Sequence, residues 1–185
     1  TIKGQGKDKG LFFPEDISKF SNEFLQNLPN LSNEEIAFQV MKDFAGDEIP
    51  EAELRKIVAE TIAFEIPLKK VTENISVLEL FHGPTLAFKD VGARFMSRCL
   101  GYFLKNETRK VTVLVATSGD TGGAVANGFY DVEGIEVVIL YPKNRVSPVQ
   151  EKQLTALGKN IHALEVNGSF DDCQALVKQA FSDES

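Results

Sequence analysis

The run Val111–Ala116, V-T-V-L-V-A, followed at once by the glycine-rich turn Thr117–Gly123, T-S-G-D-T-G-G, constrains this chain more than any other stretch. A nearly unbroken apolar, β-branched run suits a strand covered on both sides, as in a parallel sheet between helices. The glycines end it sharply, and the Ala-rich segment from about Ala124 to Tyr130 reads as the next helix. The same grammar repeats downstream. Glu136–Tyr141 and Ile161–Val166 read as strands, and Ser147–Leu157 and Phe170–Phe181 as helices, the last with Ser169 as N-cap and two Asp residues in its first turn. Upstream, Ile75–Leu80 reads as a strand and Phe81-His82-Gly83-Pro84 as a turn. Leu86–Lys105 then reads as a helix with Phe88, Val91, Phe95, Cys99 and Phe103 on one face. Strands alternating with helices at this spacing imply right-handed βαβ crossovers and an open, mostly parallel α/β sheet of about four strands.

Before residue 70 the pattern differs. Ser32-Asn33-Glu34-Glu35 is a capping box, in which Ser32 can cap the backbone and Glu35 can reach back. Ile36, Val40, Met41 and Phe44 recur at helical spacing up to Gly46, and Pro50 opens a second helix with Leu54, Ile57, Val58 and Ile62 on one face. This α-hairpin reads as packing without chemistry. Residues 1–30 show only weak periodicity. The expected organisation is a small helical N-terminal region, 1–70, followed by an α/β portion, 71–185.

Composition narrows the partners. The chain has 20 basic and 27 acidic residues and a pI near 5.0, which argues against nucleic acid, whose phosphates need basic patches. The acid is spread evenly, with 9 basic and 13 acidic residues in 1–70 and 11 and 14 in 71–185, so no charged tail marks a partner. No apolar run approaches the ~20 residues that span a bilayer, and Thr1–Lys7 is too polar for a signal peptide, although the chain opens without Met. Cys99 and Cys173 lie far apart with no metal-ligand spacing, and both fall in apolar helical patterns. Reduced core thiols, a cytoplasmic setting and no metal are expected.

Two segments offer chemistry. Thr117–Gly123 sits at the carboxyl end of a strand and the start of a helix, where open α/β sheets bind ligands. Its glycines allow close backbone approach, free N–H groups favour an anion, and Thr117, Ser118 and Thr121 add hydroxyls. It is neither a dinucleotide fingerprint nor a P-loop, and Ser118 lies in no nucleophile elbow. A plain capped turn is the bland alternative. Lys89 is flanked by Leu86, Ala87, Phe88 and Val91 and falls in the first turn of a helix. Partial burial and the macrodipole both favour its neutral amine, the form a Schiff base requires, while Asp90 acts the other way. A lysine snorkelling over apolar surface is the alternative there.

Together these segments carry a resemblance. E-L-F-H-G-P-T-L-A-F-K-D-V-G (79–92) and A-T-S-G-D-T-G-G-A-V-A (116–126) resemble the two signature segments of the threonine synthases, members of the fold-type II family of pyridoxal-phosphate (PLP) enzymes. The likeness extends to Asp8–Pro14, Tyr141-Pro142-Lys143 and Gln150-Glu151-Lys152-Gln153, and so covers essentially the whole chain. It implies a tryptophan synthase β-like fold and the conversion of O-phospho-L-homoserine and water to L-threonine and phosphate. By motif, Lys89 would bind PLP as a Schiff base and act as general acid/base, with Phe88 packing beside the cofactor. Thr117, Ser118, Gly119, Asp120 and Thr121 would form the loop for the substrate carboxylate and the cofactor's ring hydroxyl. Thr85 would meet a phosphate, and His82 would fix the turn by a hydrogen bond. Cysteine synthase, a serine/threonine dehydratase, or a non-catalytic phospho-ligand or protein-binding module on the same fold stay open as alternatives.

The family's later loop that grips the PLP phosphate, and the hydroxyl that meets the pyridine nitrogen, have no counterpart before Ser185. The expectation is an N-terminal portion, incomplete relative to the family, that neither retains PLP nor turns over substrate alone. A half-built sheet would leave apolar surface exposed and favour self-association or marginal stability.

Overall fold

Ser32 caps its helix as its sequence directs, accepting from Glu35 N–H at 3.2 Å, and α2 runs Asn33–Ala45 until Gly46 turns the chain at φ +55°. The computed structural model describes Gly10, residues 12–108 and residues 110–182. Thr1–Lys7 lies outside these, as do Asp8, Lys9 and Leu11 of the Asp8–Pro14 segment. The described residues form two units, one ending at Ala63 and the other beginning at Phe64.

In the first unit a short α1, Asn22–Asn27, precedes α2 and is capped by Ser21, whose hydroxyl accepts from Phe24 N–H at 3.1 Å. Its six residues are too few to show a period, which is why the sequence left it unmarked. Helix α3, Glu51–Thr61, packs against α2 through Leu54, Ile57 and Val58, as their spacing predicts. The capping box closes only on one side. Glu35 does not reach back; its carboxylate accepts from Gln39 at 2.7 Å and from Arg55 of α3 at 2.7 Å, and these contacts hold its pKa below the ordinary glutamate value, Gln39 contributing most. Arg55 also covers the ring of Phe38, 3.7 Å from its centroid, so Phe38 becomes the buried residue of α2 while Phe44 stays exposed.

The second unit opens with a hairpin. Ile75–Leu80 does not join the parallel sheet. Its central residues form β2, Ser76–Leu78, paired antiparallel with β1, Leu68–Lys70, and every residue of the pair is exposed. A short local hairpin closes at little entropic cost, whereas a parallel partner needs a long crossover.

Among the described residues the parallel sheet has three strands in the order β3, Val111–Ala116; β4, Ile135–Pro142; β5, Ile161–Val166. Register pairs Val113 with Val137 and Val137 with Ile161. The run Val111–Ala116 is an edge strand among the described residues and only partly buried; the central β4 is the well-covered one. Helices α5, Asp120–Gly128, and α6, Pro148–Thr155, form the two crossovers and pack on one another. Their Phe129 end and Leu154 join α4, Lys89–Leu104, and the odd-numbered side chains of β4 in one core. Helix α7, Phe170–Ser182, adds nothing to that core yet packs on β3 and β4, which places it on the opposite face.

Helix α4 is shifted and rotated from expectation. It starts at Lys89 rather than Leu86, and it buries Asp90, Ala93, Ser97, Leu100 and Leu104 beside Cys99, whereas Phe88 is 61 % exposed. Ala93 is small where α5 comes close: a Cβ on Gly128 would sit 3.0 Å from the Ala93 carbonyl carbon. Among the described residues no helix is long and apolar enough to cross a membrane, and no group of three acidic, His or Cys side chains could hold a metal.

Both cysteines are buried and unpaired, Cys99 6 % and Cys173 0 % exposed. Burial raises both thiols above their ordinary pKa, so the reactive thiolate is scarce in the folded state. Alkylation by iodoacetamide at pH 8 is expected to be slow until denaturant unfolds the chain, and mass spectrometry over time checks this.

Candidate active site

The turn before Lys89 is built around a buried carboxylate. Asp90, 1 % exposed, accepts from Thr85 N–H at 2.9 Å and from Thr85 Oγ–H at 2.5 Å. Gly83 is required beneath it, since a Cβ there would press on the Asp90 side chain, 2.9 Å from its Cβ. Leu86 takes φ +60°, a strained region for a leucine, with its N–H on Gly83 O at 3.1 Å. This turn delays the helix to Lys89, whose Nζ lies 5.2 Å from the Phe88 ring centroid. Thr85, expected at a phosphate, has both donor groups committed to Asp90. His82 fixes the turn as expected, through a 2.8 Å contact between its Nε2 and Glu79 and stacking on Phe81. Asp90→Ala leaves a part-buried N–H without its partner and is expected to lower stability by about 2–3 kcal/mol. Urea unfolding of the variant beside wild type measures that loss.

The glycine-rich loop is pinned from inside by Thr117, 1 % exposed. Its Oγ accepts from Gly119 N–H at 3.0 Å and Gly122 N–H at 2.8 Å, and donates to Gly119 O at 3.2 Å. Gly119 sits at φ +150°, and a Cβ there would meet the Gln150 amide at 2.7 Å. Helix α5 begins at Asp120 rather than Ala124, so Asp120–Gly123 are its first turn. Ser118, Asp120 and Thr121 are exposed there, beside a helix start that favours an anion.

The two segments lie at one end of the fold. Helix α4 packs on α5, with Ala93 near the start of α4 against Gly128 at the end of α5. Helix α6 ties the starts together. Gln153 Nε2 donates to Thr85 O at 3.4 Å while its side chain covers Gly123, and Gln150 Nε2 donates to Asp120 Oδ1 at 2.5 Å. Neither glutamine has a role in the sequence reading. Two signals point to them: the resemblance of Gln150-Glu151-Lys152-Gln153 to the family, and their i, i+3 spacing, which puts both on one helix face. Tyr141, at the carboxyl end of β4, is buried; that burial, and then the Glu151 charge, push its hydroxyl above the ordinary tyrosine value and keep it protonated.

The donor set fits a flat aldehyde bearing an anion. A helix-start lysine with an exposed aromatic ring beside it can receive the aldehyde, and hydroxyls at a neighbouring helix start can receive a carboxylate. Asp120, an acceptor, suits a ring hydroxyl.

Residues 60–185 match the family described as pyridoxal-phosphate dependent enzyme, and residues 1–62 match that described as threonine synthase N terminus. Threonine synthase of Serratia marcescens is 48 % identical over 182 residues, covering 98 % of this chain and 42 % of its own length. The crystal structure of threonine synthase from Escherichia coli superposes with a TM-score of 0.90 at 47 % identity, over 99 % of this chain and 42 % of that one. The PLP-bound threonine synthase from Brucella melitensis gives 0.90 at 42 % identity, over 99 % and 41 %. The chain thus spans about two-fifths of the length of these relatives.

Proposed function

The chain belongs to the pyridoxal-phosphate-dependent enzyme family, and from that premise we propose that it carries the lysine and carboxylate-binding parts of a threonine synthase site. The reaction is the conversion of O-phospho-L-homoserine and water to L-threonine and phosphate. One observation carries the proposal: Lys89 and the Ser118–Thr121 turn stand at the starts of two helices, and α6 holds both, through Thr85 in the turn before Lys89 and through Asp120.

PLP, when bound, supplies an electron sink for the pairs released at the substrate's α and β carbons. Lys89 supplies the amine that attaches the aldehyde, and its Nζ moves the α and β protons as general acid and base. The start of α5, with the hydroxyls of Ser118 and Thr121 and the close backbone approach at Gly119, binds the substrate carboxylate. Asp120 accepts from the ring hydroxyl, and Phe88 packs beside the ring. Thr117 holds the loop in shape from below, and Thr85 holds the approach to Lys89 through Asp90. The N-terminal region up to about 70, whose last helix ends at Thr61, takes no part in the chemistry. The setting is a reducing cytoplasm, which the two free buried thiols support. Exposed Leu68, Ile75 and Leu78 on the hairpin, and Leu164 on β5, support self-association of the isolated chain.

The test uses the full-length protein that carries this sequence. After incubation with PLP and reduction with borohydride, peptide mass mapping is expected to find the pyridoxyl group on Lys89, and the unreduced protein to release phosphate from O-phospho-L-homoserine. A label on another lysine, or no release, overturns the proposal.

A further inference from the structure

We infer that Gln150 is a positioning residue for cofactor binding: its side-chain amide fixes the carboxylate of Asp120 in the orientation that meets the ring hydroxyl. The inference rests on the placement of Asp120 proposed above. Asp120 is exposed, and a lone exposed carboxylate turns freely in water. Here one oxygen is held, because Gln150 Nε2 donates to Asp120 Oδ1 at 2.5 Å, leaving Oδ2 as the outward acceptor.

Gln150 is itself fixed at both ends of its amide. Ser147 Oγ donates to Gln150 Oε1 at 3.0 Å and accepts from Gln150 N–H at 3.3 Å, closing a ring at the α6 N-cap. With the carbonyl end engaged by Ser147, the NH₂ end points to Asp120. The amide also lies over Gly119, where a Cβ would come within 2.7 Å of it, so the loop and the glutamine fit only while position 119 has no side chain. Helix α6 is anchored below by Leu154, 1 % exposed, against Gly122. The orientation of Asp120 is therefore set from the neighbouring crossover helix, not by the turn that bears it.

Gln150→Glu tests this, since it keeps the size of the side chain but sets an acceptor against an acceptor. In the full-length protein, titration with PLP is expected to show at least about tenfold weaker binding and a shifted visible maximum. Asp120→Asn alone keeps an acceptor for Gln150 and is expected to cost less. The double variant Asp120→Asn, Gln150→Glu restores a donor–acceptor pair with its polarity reversed, and is expected to recover most of the Gln150→Glu loss rather than add to it. Thermal unfolding of each variant confirms that it is folded. Wild-type affinity and spectrum in folded Gln150→Glu, or additive losses in the double variant, overturn the inference while leaving the function standing. A wild-type protein whose visible band persists in Lys89→Ala removes the function, and the inference with it.

Discussion

Lys89→Ala is expected to lower phosphate release from O-phospho-L-homoserine by at least about a thousandfold while leaving the protein folded. Acid–base catalysis by one positioned group is worth about two to four orders of magnitude, and here the same amine also attaches the cofactor. The stability cost is expected to stay below about 1 kcal/mol, because the contact to release is an exposed one with the Phe88 ring. Lys89→Arg is expected to be as inactive as the alanine variant, since a guanidinium stays protonated. Activity measured beside a thermal melt separates these outcomes. An active Lys89→Ala protein would remove Lys89 from the chemistry.

Thr117→Val is expected to cost about 2–6 kcal/mol of folding stability and to weaken PLP binding with it. Valine keeps the shape, yet it leaves the buried Gly119 and Gly122 N–H groups without their acceptor, at about 1–3 kcal/mol each. Thr117→Ser keeps the oxygen and loses only the methyl that packs on Gly122, so its cost is expected near 1 kcal/mol. Denaturant midpoints of the two variants give the comparison. A stable Thr117→Val protein would show that the loop holds its shape without the pin.

The contrast between Thr117 and Ser118 shows how far sequence carries. Both are hydroxyl residues in one turn, and both were expected to face substrate. Thr117 lies under the loop, engaged on three sides, and Ser118 is exposed above it. No period separates neighbours inside a turn, so only the folded path of the glycines decides which hydroxyl is buried. Thr85 is similar, because its commitment depends on a carboxylate five residues on that the α4 packing buries.

Local pattern sufficed for the strands Val111–Ala116 and Ile161–Val166, the capped starts at Ser32 and Ser169, and the position of Lys89 in the first turn of a helix. Each is settled within a few residues by side-chain alternation, a cap or a glycine, and these are properties of the chain itself. The pairing of Ile75–Leu80 into a hairpin, the buried face of α4, and the clasp of Gln150 and Gln153 were decided only by tertiary structure. The clasp joins residues 30 and 68 positions apart, and no local preference can register contacts that exist only once the crossovers have closed.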